Sequence, residues 1–332
     1  MNEQFTETIL FGPTLPSLPA VAVRVLELTA QDDVDLDELA NVIQADQALT
    51  ARIIRTMNSS YYGLPKRCSS IRQAVGLLGL NAVKALVLGF SLVQSITGHE
   101  EYDIGFDYLQ YWRRAVYSAA AARLIARQSS VAEPDEAFLA ALMQDIGMIA
   151  IYRATTDRYL QVIDMSHGDH HRLVDLEHRT FEVTHPQVGA QIMESWRFPK
   201  QVIEAIRCHH CVESCPEPSL DFCRVVVLAG DVAEAVSSQE DREPMLRCLH
   251  RCESWFEMTA DQSRILLGEA VSAADELGRH LQLDTGETPE IGPILARAEE
   301  MRTSHALDLC RKVDELEARQ GGGGHHHDDR AA

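Results

Sequence analysis

The chain has 332 residues, enough for two domains or one large one with an appendage, and enough to bury a sizeable core. Its 45% hydrophobic and 24% charged residues are an ordinary soluble composition and exclude disordered and fibrous classes. The 30 Lys and Arg against 50 Asp and Glu leave a formal charge of −20, and so acidic a surface disfavours nucleic acid as a partner.

Residues 1–11 read as an N-terminal tail and 12–98 as a first helical subdomain. Asp35 with Glu38 forms a capping-box pattern that opens a helix from Leu36 to about Ala45. Asp46 caps the next helix, where Leu49, Ile53 and Met57 recur every four residues. Ser70 with Gln73 repeats the pattern, Gly79 stops that helix, and Asn81 caps an apolar one running to about Ile96. Five short helices are expected in this subdomain. A polar stretch, Thr97 to Asp107, leads to a second subdomain over 106–237. Its helices are placed at 108–128, 134–151, 156–166, 169–180, 186–196, 199–210 and 219–237. Pro134, Pro186 and Pro199 each stand where a first helical turn tolerates proline. C-terminal accessory helices over 238–319 follow at 244–256, 260–282 and, after a Gly/Pro-broken linker, 294–319. The last carries Ile294, Leu295, Ala298, Met301, His305, Leu309, Val313 and Leu316 at near-heptad spacing, which suits a homodimer contact as well as packing on its own chain. Residues 320–332 read as a low-complexity, disordered tail.

The longest apolar stretch, Ala82 to Ile96, is short for a membrane span and contains Lys84, Ser91 and Gln94. The first residues lack the basic start of a signal peptide. A cytoplasmic chain with eight reduced cysteines is therefore expected. The richest basic stretch, Arg113-Arg114 with Arg123 and Arg127, is thin.

Several common sites are missing: no GxxxxGK[ST], no GxGxxG after a strand, no GxSxG and no HExxH. The run Cys208-His209-His210-Cys211 with Cys215 resembles half a zinc site, but Cys223 stands alone and Cys248 and Cys252 lie far off. Small buried thiols are the plainer reading. A second, dispersed set is Asp145 at the end of an apolar helix, His185 at the start of a helix, His209 and His210 at the end of another, and Asp231 within the next. Side chains from different helices can converge on one metal in a bundle core.

Leu15-Pro16-Ser17-Leu18-Pro19-Ala20, Ile43-Gln44-Ala45-Asp46-Gln47-Ala48 and Asn58-Ser59-Ser60-Tyr61-Tyr62-Gly63 resemble the signature of the HDOD family, the HD-related output domain of bacterial signalling proteins. Gln144-Asp145-Ile146-Gly147, His185-Pro186-Gln187-Val188-Gly189, Trp196-Arg197-Phe198-Pro199 and His209-His210 continue the resemblance, which covers roughly 12–237. It implies an all-α fold, with a five-helix N-terminal bundle packed on a degenerate HD-like bundle. Related HD phosphohydrolases hold metal with a His, a His-Asp pair and a later Asp. Carried onto this chain, the first His position is Arg114 and the His of the pair is Gln144, while Asp145, His185, His209, His210 and Asp231 survive. The Gly-Tyr-Pro run of HD-type cyclic-dinucleotide phosphodiesterases is absent after the double His.

Those two replacements matter physically. A carboxamide is a poor substitute for an imidazole, and a guanidinium repels a cation by about 4 kcal/mol per unit charge pair at 4 Å and an effective dielectric of 20. No metal and no cofactor are expected, and Arg114 is expected to pair with Asp145 or Asp231. A metal, if held, would use Asp145, His185, His209, His210 and Asp231. The resemblance implies a non-catalytic regulatory module that binds a protein partner in a bacterial signalling pathway. The alternatives are a metal-dependent phosphohydrolase acting on nucleotides or cyclic dinucleotides, and a nucleotide-sensing receptor without turnover.

Overall fold

A computed structural model of the chain describes residues 18–31, 33–98, 105–237 and 242–303, and every regular element among them is helical. The N-terminal subdomain comprises α1 (Ala20–Thr29), α2 (Leu36–Gln44), α3 (Gln47–Met57), α4 (Ile71–Leu78) and α5 (Leu80–Thr97). Short polar side chains fix the helix starts. Asp35 accepts from the Asp37 and Glu38 amides, Asp46 from the Leu49 amide, and Ser70 from the Gln73 amide. The step from α4 to α5 differs from the Asn81 cap expected above. Gly79, at φ 89°, ends one helix and begins the next with no side-chain cap, a backbone conformation open to glycine.

The second subdomain holds α6 (Tyr108–Ser129), α7 (Pro134–Met143), α8 (Ile146–Thr155), α9 (Asp157–Ser166), α10 (His170–Phe181), α11 (His185–Ser195), α12 (Lys200–Cys208) and α13 (Leu220–Ser237). Then come α14 (Glu243–Phe256), α15 (Ala260–Leu281) and α16 (291–303). The remainder of the helix placed at 294–319, and both tails, lie outside the described residues.

The hub is α6, which packs against α7, α13 and α15. Its run Ala119-Ala120-Ala121-Ala122 is wholly buried and lets the flanking helices approach closely. The C-terminal helices do not stand apart from this core. α15 lies on α6, and α14 lies on α13. The apolar stretches Leu80–Thr97 and Pro134–Thr155 would suffice in length and composition to cross a membrane, but both lie mostly inside the molecule.

Of the basic stretch noted in the sequence, Arg123 is internal while Arg127 is exposed. Arg123 is 3% exposed, pairs with Asp135 (Nε to Oδ1, 3.0 Å), donates to the Tyr61 carbonyl, and lies over the Tyr61 and Tyr62 rings at 4.7 and 4.0 Å. It thereby ties the loop after α3 to α6. Arg123→Lys keeps the charge but loses the planar fork and ring stacking. We expect a loss of about 2 kcal/mol in urea unfolding, the scale of a desolvated cation–ring contact. An unchanged unfolding midpoint would show the stack to be incidental.

Candidate functional site

The continuous helix expected over 134–151 is broken. α7 ends at Met143, Gln144 and Asp145 form the joint, and α8 begins at Ile146. The break follows from packing. Gly147 in the first turn of α8 lies so close to the start of α11 that a Cβ there would overlap the His185 carbonyl oxygen and come within 2.8 Å of the Gly189 nitrogen. A straight continuation of α7 cannot make that approach. The crossing sets Asp145, at the N-terminus of α8, beside His185, at the N-terminus of α11.

Asp145 is 2% exposed and its two oxygens face different surroundings. Oδ2 accepts from Arg114 Nε at 2.9 Å. Oδ1 lies 3.2 Å from His209 Nε2 and 3.5 Å from His185 Nε2. Burial alone would raise this carboxyl, but the Arg114 charge and the two imidazoles outweigh it and hold the group well below the usual carboxylate range. Gln144, 1% exposed, turns its amide nitrogen to the Ser118 hydroxyl at 3.3 Å.

Arg114 begins an alternating chain of charges. Its Nη1 donates to Glu234 Oε1 at 2.7 Å. The other oxygen of Glu234 accepts from Arg247, whose Nε donates to Asp231 Oδ1 at 2.8 Å. Asp231 Oδ2 accepts from Arg251 Nη1 at 2.7 Å. Arg247 and Arg251 stand one turn apart on α14, so both reach the same carboxylate on α13.

Behind His185 lies Glu177, fully buried, which accepts from Tyr159 Oη (2.5 Å), the His185 amide (2.8 Å) and His185 Nδ1 (2.9 Å). A carboxylate only accepts, so His185 carries its proton on Nδ1. The same logic applies to His209, whose Nδ1 is 2.7 Å from the Ile206 carbonyl. Both rings therefore present Nε2 to Asp145. Burial disfavours a charged His185, but Glu177 and Asp145 more than offset it and push its pKa up to about 9. His170, at the start of α10, goes the other way: burial and the Arg114 charge bring it down to about 3. Burial, with His209 and His185 beside it, pushes His210 well below the ordinary imidazole value.

Several polar atoms on the inner face of this cluster have no close partner from the rest of the protein. Asp145 Oδ1, His185 Nε2, His209 Nε2, His170 Nδ1 and both nitrogens of His210 are buried without a hydrogen-bond partner. Each such group costs about 1–3 kcal/mol when nothing pairs with it. A cleft of 380 Å³, lined by Tyr111, Arg114, Met148, Ile163, His170 and Glu234 among others, opens alongside.

Residues 15–212 match the sequence profile of the HDOD domain family. The chain belongs to the HDOD family. An uncharacterized protein of Treponema pallidum (strain Nichols) is 23% identical over 250 residues, which is 75% of this chain and 47% of that protein, so the chain spans about half the length of this relative. Among solved structures, an HDOD domain protein of unknown function from Geobacter sulfurreducens shares the fold with a TM-score of 0.60, 23% identity, and coverage of 94% of this chain and 97% of that one. A candidate phosphohydrolase from Shewanella amazonensis SB2B gives 0.58, 18% identity, and 90% and 93% coverage. A candidate signal transduction protein from Marinobacter aquaeolei VT8 gives 0.60, 20% identity, and 82% and 60% coverage.

Within the HDOD frame, Arg114, Gln144, Asp145, His185, His209 and His210 come together as one buried cluster. Asp231 borders it but is turned to Arg247 and Arg251. Both arginines come from α14, read from sequence as accessory, and Asp231 still lines the same small cavity as Arg114, Gln144, His209 and His210. The ancestral HD set therefore does not fit a metal here: two positions carry no imidazole and the second carboxylate is bound to two guanidiniums. His170 and Glu177 were missed. A signal existed for both, since His170, Leu173, Glu177 and Phe181 fall on one helical stripe whose apolar members are buried.

The cysteine run is corrected too. Cys215 is joined to Cys223 as a disulfide, and Cys211 Sγ lies 3.0 Å from Ser214 Oγ. The short 3₁₀ turns at Val212–Ser214 and Glu217–Ser219 fold the loop back onto the start of α13. Among the described residues none of its cysteines belongs to a metal-ligating group, and its thiols are not all free as expected.

Proposed function

We propose that this HDOD chain is a non-catalytic signal-transduction module that acts by binding another protein. The observation that carries the reading is the charge chain Asp145–Arg114–Glu234–Arg247–Asp231–Arg251. Hydrolysis by an HD-type centre needs carboxylates free to hold a cation that activates water. Here both aspartates of that centre are engaged by fixed positive charges. A scaffold that keeps the fold and neutralises the chemistry is suited to presenting a surface.

The test is turnover. With manganese or iron present, the purified chain is expected to leave cyclic dinucleotides and aryl phosphodiesters uncut above the metal blank. Turnover that disappears in Asp145→Asn would overturn the reading and favour a phosphohydrolase. In vivo cross-linking in the native host is expected to recover a stoichiometric protein partner.

The cleft beside Arg114 supports a second reading, nucleotide sensing without turnover. Tyr111 Oη lines it and is buried without a hydrogen-bond partner. Calorimetric titration with cyclic dinucleotides decides it; no heat with any of them removes it.

A further inference from the structure

We propose that the groove between α6, α15 and α16 receives residues 304–319 of a second copy of this chain, and that each copy gives its own segment in return. The groove has a volume of 830 Å³ and shares no lining residue with the cavities at the histidine cluster. Leu124, Ile265, Ile291 and Leu295 give it apolar walls, and Ile265 is 52% exposed. Gly268, inside α15, keeps it open at a cost of about 1 kcal/mol in helix propensity against alanine. A Cβ there would meet only Ile291 Cγ2, at 3.6 Å.

Three observations choose the occupant. The wall from Asp261 to Glu276 on α15 is ~22 Å long, which about four turns of helix fill. Beyond Thr303 the sequence supplies that length. Leu309, Val313 and Leu316 stand at i, i+4 and i+7, the anchor spacing of a helix laid in a groove, with no Gly or Pro between Ile294 and Gln320. The charges match as well. At helical spacing Lys312 and Arg319 flank that stripe on one side and Glu317 on the other, while the groove carries exposed Glu269 on α15 and exposed Arg127 on α6. Its other charges are engaged within the chain: Arg264 with Asp261 (3.9 Å), Glu276 with the Ser60 hydroxyl (2.7 Å) and Arg123 with Asp135 (3.0 Å).

The chain's own segment leads away from this groove. Ile291 and Leu295 stand at it, but α16 then runs to the junction of α13 and α14. There Arg297 donates to the Ala235 carbonyl, and Arg242 Nε donates to Met301 Sδ at 3.3 Å. Continued in that direction, residues 304–319 leave their own groove ~18 Å behind. A two-fold pair of copies resolves this, each segment entering the other's groove through the same contact. Ile294, Ala298 and Met301 are already buried in their own chain, which leaves no continuous seam for two such helices to pair directly. The contact is independent of the signalling partner proposed above.

Analytical ultracentrifugation of the full chain tests it. A dimer with a dissociation constant of ~1–50 µM is expected. Ile265→Glu in the groove, and Leu309→Glu with Val313→Glu in the segment, are each expected to weaken it ~30-fold or more, because either puts a charge into the apolar contact. Ile265 is exposed in the single chain, so its variant should keep the parent's urea midpoint. Mixing the two variants tests the exchange itself. One supplies an intact segment and the other an intact groove, so the mixture should associate ~10-fold or more tightly than either alone. A parent still monomeric at ~0.5 mM, a dimer unmoved by Ile265→Glu, or a mixture no tighter than its components would each overturn the exchange. A monomeric parent in which Ile265→Glu abolishes hydrogen-exchange protection of 304–319 would overturn it too, and would assign the groove to the chain's own segment.

Discussion

Gly147→Ala is expected to be the most damaging small substitution in the molecule. The added methyl would meet the His185 carbonyl and the Gly189 nitrogen, both backbone atoms that cannot swing aside. α8 and α11 would have to separate, parting Asp145 from His185. The cost is expected to be about 3 kcal/mol or more, at the upper end for overpacking, and soluble expression should fall accordingly. Two glycines serve as controls. At Gly189 the nearest atom to a Cβ is a side-chain carbon, Ile206 Cγ2 at 3.1 Å, and the helix gains from alanine. The net change there should stay within about 1 kcal/mol. At Gly76 in α4 a Cβ meets nothing within 4 Å, and Gly76→Ala should stabilise by about 0.5–1 kcal/mol. Urea unfolding of the three variants checks the order. A Gly147→Ala protein as stable as its parent would show that the α8–α11 crossing is looser than described.

Arg114→Ala is expected to cost about 3–5 kcal/mol, because it strands Asp145 and Glu234 as buried charges without their cation. Arg114 is 11% exposed at its side chain, so solvent screens little of this. The pH dependence has a definite sign. Burial raises both carboxyls, but Arg114 reverses this and leaves both pKa values depressed. Depressed carboxyls stabilise the fold above the ordinary carboxylate range and lose that contribution as pH falls through their folded values. Without Arg114 the contribution is gone at neutral pH, and acid unfolding should begin at a higher pH than in the parent. Circular dichroism across an acid titration measures it. Coincident acid transitions for parent and variant would rule out the Arg114 pairings as a source of stability.

Much of the architecture was legible in the sequence because it is written locally. Asp35, Asp46 and Ser70 cap the helices they were expected to cap, and the spacing of Leu49, Ile53 and Met57 marks a buried face. The loss of two imidazoles was equally plain, as it needs only the identities of Arg114 and Gln144. The α7–α8 break was not, because Gly147 acts through the distant backbone of His185 and Gly189, and no local rule encodes that approach. Arg247 and Arg251 escaped for a similar reason. A pair of arginines one turn apart reads as a solvated face until α14 is laid along α13. Glu177 was hidden differently: it sits on the apolar stripe of α10, where a carboxylate looks like a break in the pattern and not part of the core.

The arginine–carboxylate relay has a mutational corollary. Replacing Arg114 by histidine would not by itself free the second aspartate, since Asp231 would still be gripped by Arg247 and Arg251. Removing either of those first would leave Asp231 or Glu234 short of a counter-charge inside the molecule. Every single replacement within the relay thus passes through a destabilised intermediate. The relay works as a ratchet that resists being dismantled one residue at a time.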